Sequence, residues 1–233
     1  MAISYNTSIV RNGLVLHLDA ANVKSYPGSG TAWNDLSGNG NNGTLVNSVG
    51  YSTNNKGYLT FDGIDDRIDI PNSVSINQPL ASNFSCDIWC YPQIGGNAFG
   101  KIFSKTYFGG GKGFQLTYNS STLRGSFAFQ TAANVNTNLG FDLPLNNWYH
   151  ILLIRDTTVG ASVYLNGILV NSSSAITYDM SNDYDLRISV EAQPTSINEY
   201  KQQYVSNFKF YNKALSVTEA SQNFNALRGR YGI

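Results

Sequence analysis

Charge is scarce in this sequence. Asp, Glu, Lys and Arg make up 13% of its 233 residues, about half the share of an ordinary globular domain. Fifteen basic and fifteen acidic residues give a formal net charge of zero. That balance offers no basic surface and excludes nucleic acid as a partner. It also excludes a disordered chain, which would combine high net charge with low hydrophobicity, because 42% of these residues are hydrophobic. Glutamate occurs three times, at Glu191, Glu199 and Glu219, and histidine twice, at His17 and His150. No apolar run approaches the roughly 20 residues of a membrane span, and the opening MAISYNTSIVRNG lacks the apolar centre of a secretory signal. The expectation is synthesis in a cytoplasm without a signal peptide.

Cysteine is nearly missing as well. Cys86 and Cys90 are the only two, in a strand-like run where four residues span roughly 13 Å. A disulfide allows only about 4.4–6.8 Å between Cα atoms. They are expected to be free thiols serving as small apolar side chains.

What is present is the grammar of antiparallel sheet. Trp148 to Ile154 is apolar on both parities, which suits a central strand covered on each face. Asn166-Gly167 sits between two runs rich in β-branched and apolar residues, Ser162 to Leu165 and Ile168 to Val170. A type I′ turn needs φ > 0 at both central residues, so this is a strong hairpin signal. Further strands are expected at Ile9–Asp19, Gly57–Pro71, Asn83–Pro92, in KIFSK, GFQLTYN and LRGSFAFQ, at Asp185–Glu191 and at Tyr204–Tyr211. Residues 20–43 read as a long loop anchored by Trp33 and Leu36, and Thr131–Leu145 as an Asn-rich connection. Ser216-Val-Thr-Glu219 is a capping box opening a helix over 216–229. Its expected apolar stripe is Val217, Ala220, Phe224 and Leu227, with Gly229 as the stop.

LVLHLDAANVKSYPGSGTAWNDLSGNGNNGTL, GYLTFDGIDDRIDIP, NFSCDIWCYP and the closing YVSNFKFYNKALSVTEA together resemble laminin-G-like domains of the concanavalin-A-like lectin/glucanase superfamily. More narrowly, they are similar to versions that recur in structural proteins of tailed phages. The resemblance implies an all-β fold, a two-sheet antiparallel jelly-roll sandwich with one C-terminal helix. It covers effectively the whole chain and implies a single domain over 1–233, with the helix docked on it.

In NFSCDIWCYP, Phe84, Cys86, Ile88 and Cys90 share one face, and Asp87, Trp89 and Tyr91 the other. If the first face meets the opposite sheet, Trp89 and Tyr91 point outward. The resemblance to lectins makes these two the candidate ligand-binding residues, by stacking on a sugar; the alternative is that Trp89 packs under a loop. The resemblance also offers Asp62, Asp65 and Asp66 as a calcium cluster, against the plainer role of Asp in holding turn N–H groups. The turn role is favoured and no cofactor is expected.

Catalysis is poorly supplied. Related glucanases place two Glu and one Asp on one strand in an E-x-D-x-x-E pattern, and glycoside hydrolysis needs a carboxylate pair. The three Glu here fall on a strand end, a loop and a helix cap. Asp66 and Asp69 have opposite parity, and no nucleophile elbow accompanies His17 or His150. The expected function is therefore non-enzymatic: a phage virion structural protein acting as a capsid decoration, fibre or tail-associated module. It would dock on other virion proteins or sister subunits at the virion surface. The alternative is a lectin module that attaches to host-surface glycans.

Overall fold

Tyr149–Asp156 is the strand on which both layers of packing converge. Its Ile151 and Leu153 enter the main core, while Leu152 and Ile154 pack into a second cluster on the opposite face. The computed structural model describes residues 8–77, 82–107, 111–131, 136–174, 176, 179–192 and 198–233. The expected domain span of 1–233 extends over residues outside this set.

The first half of the chain supplies β1 (Leu14–Asp19), β2 (Ala32–Trp33), β3 (Gly43–Val46), β4 (Gly50–Ser52), β5 (Tyr58–Asp62), β6 (Arg67–Ile70), β7 (Phe84–Gly96) and β8 (Lys101–Ser104). The second supplies β9 (Gly113–Asn119), β10 (Arg124–Gln130), β11 (Asn136–Asp142), β12 (Tyr149–Asp156), β13 (Gly160–Leu165), β14 (Ile168–Ser172), β15 (Leu186–Ile188) and β16 (Lys201–Tyr211). One helix follows, α1 (Val217–Leu227). One sheet has the order β14-β13-β12-β7-β16-β5-β4, with β1 also on β16; the other runs β11-β10-β9-β8-β15-β6-β3-β2. Every pairing among the described residues is antiparallel. This is the expected all-β, two-sheet jelly-roll sandwich with one C-terminal helix.

β16 organises the first sheet. One edge pairs along its length with β7, and the other is shared by β5 at Gln202–Val205 and β1 at Asn207–Tyr211. Between the sheets lie aromatic side chains held by strand alternation: Phe84 stacks on Phe210 at 5.4 Å and meets Phe114 at 4.7 Å, and Phe103 meets Phe208 edge-on at 5.3 Å. Each such side chain, wholly buried, contributes roughly 1.5–3 kcal/mol by leaving water. Cys86 and Cys90 are buried free thiols in this core, as their spacing implies.

Asn166 and Gly167 both have positive φ, 51° and 78°, as the I′ hairpin between β13 and β14 requires. Trp33 anchors the long 20–43 loop in the core with no exposed surface, and β2 adds two residues to the second sheet. Residues 136–142 depart from expectation. They form a strand, β11, in register with β10. Leu139 and Phe141 mark its inward parity, and the opposite parity is Asn138, Gly140 and Asp142, which disguises it as a connection.

The helix also departs in part. Ser216 accepts from the Glu219 backbone N–H, and the Glu219 side chain accepts in turn from the Ser216 N–H, so the capping box is present. The buried positions are Ala220, Asn223 and Leu227, while Val217 is exposed. Gly229 does not stop the helix as a left-handed cap. It lies in a 3-10 turn over Arg228–Arg230 that extends the last turn.

Candidate functional site

The two outer faces of the sandwich differ completely. On the first sheet the outward face of β7 and β12 lies under α1 and the residues that follow it. Trp89 is fully buried there, stacked on Tyr231 at 4.2 Å and on Phe224 at 6.0 Å. This corrects the expectation that Trp89 faces a ligand. Its outward parity is as expected, but the amphipathic helix occupies that surface, leaving no ring face for a sugar. The packing alternative, under the helix rather than a loop, is what the chain adopts.

Beside Trp89 sits a buried ion cluster. Lys209 Nζ donates to Asp87 Oδ1 at 2.7 Å, Asn223 Nδ2 donates to Asp87 Oδ2 at 2.8 Å, and His150 Nε2 lies 3.1 Å from Asp87 Oδ2. Asp87, Lys209, His150 and Asn223 have no exposed surface. Burial alone would raise the Asp87 carboxyl, but Lys209 and His150 overcome it and hold the group far below the ordinary carboxylate range. Asn223 also accepts from the Val10 N–H, so the cluster ties α1 to the sheet and to the segment before β1.

Tyr91 lies further along the same face and is half-buried. Tyr204 is stacked between Tyr58 at 4.9 Å and Tyr91 at 5.2 Å, and Trp148 meets Tyr58 and Tyr91 at steep angles of 64° and 60°. These rings direct their faces at one another.

Among the described residues, no element covers the polar outer face of β8 to β11 on the second sheet. Strand register aligns Lys101 with Thr117 and Ser126, and Gln115 with Ala128 and Asn138. The opposite parity on the same strands, Phe114, Leu116, Phe127 and Phe129, fills the core. Ala128 leaves space between larger polar neighbours, and a trough of about 440 Å³ runs across β8 to β11. Phe99 stands at its edge with 54% of its surface exposed. Lys101 Nζ pairs with Glu199 Oε2 at 2.5 Å, and among the described residues these two are the charged members of the lining. Gln115 is 6% exposed and its Oε1 has no hydrogen-bond partner. A buried acceptor left unpaired is costly, and this one has no accessible surface of its own.

The three aspartates do come together: one oxygen from each of Asp62, Asp65 and Asp66 lies within 4.8 Å of the others. One oxygen each of Asp62 and Asp66 already serves the turn. Asp62 Oδ1 accepts from the Ile64 N–H at 2.8 Å, and Asp66 Oδ2 from the Asp62 N–H at 3.1 Å. Burial, with the charges of Asp62 and Asp65 adding to it, raises the Asp66 carboxyl. Asp35, in the loop after β2, is engaged in the same way, accepting from the N–H groups of His17, Ser37 and Asn41.

Sequence reasoning placed Trp89 and Tyr91 at the site and missed the trough. Gln115, Thr117 and Asn119 were visible as the polar parity of one strand. Knowing that Ala128, Asn138 and the distant Glu199 join them needs the strand order.

Residues 61–221, more than half of the chain, match the family described as the concanavalin A-like lectin/glucanases superfamily (Laminin_G_3). The chain belongs to that family. No curated protein is significantly similar in sequence. Among solved structures, the binding domain of Paraclostridial Mosquitocidal Protein 1 is similar with a TM-score of 0.73 at 17% identity, over 93% of this chain and 52% of that one. The binding domain of botulinum neurotoxin serotype G is similar at 0.71 and 17%, over 91% and 50%. The serotype D ligand-binding domain, in complex with N-acetylneuraminic acid, is similar at 0.72 and 15%, over 92% and 51%. The chain spans about half the length of these structures, and at such identity the likeness is one of fold.

Proposed function

We propose that this chain is a non-enzymatic binding module that holds a glycan in the trough on the outer face of its second sheet. The observation that carries this is the lining: amide and hydroxyl side chains around Gln115, with an exposed aromatic ring at the edge. That is the mixture of oriented polar groups and apolar surface that a sugar ring requires. The lining contains one carboxylate, Glu199, already paired with Lys101, whereas glycoside hydrolysis needs two. The similar structures are titled as binding domains, one with N-acetylneuraminic acid and another with rat synaptotagmin II, which supports binding as the role. A glycan panel, run with calcium and with chelator, tests the proposal. Binding to no sugar under either condition removes it.

A second reading has an observation of its own. The hairpin strand β14 exposes Ile168, Leu169 and Val170 in succession at the end of the first sheet. An apolar strip at a sheet end suits protein docking, as in a virion structural protein seated on a shell or on sister subunits at the particle surface. The resemblance to tailed-phage versions of the domain supports this reading. It requires an interface above about 1,000 Å² in the assembled particle. A protein that stays monomeric and never co-purifies with particles would rule it out.

A further inference from the structure

We infer that Glu199 and Phe99 form the primary saccharide contact of the trough, the sugar resting an apolar face on the Phe99 ring and donating a hydroxyl to Glu199 Oε1. This rests on the glycan-binding reading above and names the residues that carry it. Glu199 lines the trough, and its two carboxylate oxygens are placed differently. Oε2 lies 2.5 Å from Lys101 Nζ and has no accessible surface. Oε1 is accessible and, among the described residues, accepts from no group of the protein. A carboxylate oxygen only accepts, so its partner from outside must be a donor. Sugar hydroxyls are donors, and a hydrogen bond to an ionised acceptor is stronger than one between neutral groups.

The chain holds this oxygen in place. The Lys101 N–H donates to the Glu199 carbonyl at 2.9 Å while Lys101 Nζ meets the carboxylate, so one residue grips both ends of Glu199. Glu199 adopts a left-handed backbone with φ of 59°, a conformation that a non-glycine residue keeps only where its surroundings enforce it. Lys101 Nζ also donates to the Phe99 carbonyl at 3.4 Å. The carboxylate and the segment that carries the exposed ring therefore share one ammonium. That segment is pinned from both sides. The Asn97 N–H donates to the Tyr200 carbonyl at 2.8 Å, and the Ser120 N–H to the Ala98 carbonyl at 2.9 Å. Gly100 permits the approach, because a Cβ there would stand 2.7 Å from the Tyr200 carbonyl. A ring and an accessible acceptor fixed beside one another before the ligand arrives spare part of the ordering cost of binding. The exposed Phe99 ring offers the apolar contact that the C–H face of a pyranose can fill.

The test runs the intact chain and its variants over one printed panel of glucose-, galactose-, mannose-, N-acetylglucosamine- and sialic-acid-bearing oligosaccharides, with a melting curve for each protein. In Glu199→Gln the amide oxygen can stay on Lys101, which only donates, so the trough receives an N–H in place of the acceptor. Affinity for the sugars bound by the unaltered chain is expected to fall roughly tenfold, with the melting midpoint close to that of the unaltered chain. Glu199→Leu combined with Lys101→Met removes both charges together, which preserves the fold, and is expected to weaken binding at least as far. Phe99→Ala should weaken binding with the fold intact, because Phe99 is exposed, and Phe99→Trp should keep it. Glu199→Gln, the double variant or Phe99→Ala binding like the unaltered chain would overturn the inference and leave the glycan reading standing. An unaltered chain that binds nothing on the panel would overturn both.

Discussion

At the scale of single residues, the chain places its most expensive side chains under α1. Asp87 and Lys209 are each without exposed surface, so neither tolerates the loss of the other. Asp87→Ala, which strands an ammonium in the interior, is expected to cost about 3–5 kcal/mol in urea unfolding. Asp87→Leu combined with Lys209→Met should recover much of that loss, because an apolar pair of similar volume removes both desolvation penalties. Trp89→Ala is expected to cost about 3–5 kcal/mol as a core truncation. A glycan-binding defect without a stability defect would contradict its burial.

His17 adds a pH dependence. Burial, then the nearby charge of Lys209, lowers it to about 4, against an ordinary value of 6.5. The unfolded chain therefore takes up this proton before the folded one does. Unfolding free energy should fall as pH drops from about 6.5 to about 4, by roughly 1–3 kcal/mol. The slope in that window should flatten in His17→Gln, measured by urea midpoints at several pH values.

At the scale of elements, local signals were legible wherever one face is apolar or a turn needs special chemistry. The β13–β14 hairpin was readable because few residue pairs accept two left-handed conformations in succession. The helix start was readable because its cap is written in four adjacent residues. Gly167→Ala should lose more than about 1 kcal/mol, since its φ is positive and a Cβ there would stand 3.0 Å from the Phe224 ring. What was not legible depends on partners distant in sequence. β11 carries too few apolar residues to announce itself, and its pairing with β10 makes it a strand. Asn223 lies outside the apolar stripe read from the sequence, and Asp87, 136 residues earlier, explains its burial. Trp89 was given the correct parity but the wrong environment, because one strand cannot show which outer face a later helix will cover.

At the scale of the whole molecule, α1 covers the β7–β12 part of one outer face, and among the described residues nothing covers β8 to β11 on the other. In the 62–66 turn, Asp62 and Asp66 accept from backbone N–H groups. The melting midpoint is therefore expected to be the same in millimolar calcium and in chelator. An upward shift in calcium would show binding to the folded state and assign these carboxylates to a cation.

The position of β16 also has a consequence for synthesis. The strand that β7, β5 and β1 all require is made after every one of them. On a ribosome adding about 5–20 residues per second, those three wait roughly 5–40 s before their shared neighbour emerges. Such a chain is a natural client for holding chaperones. Expression at low temperature, or with added trigger-factor-type holdases, should raise the soluble yield far more than stabilising any single turn.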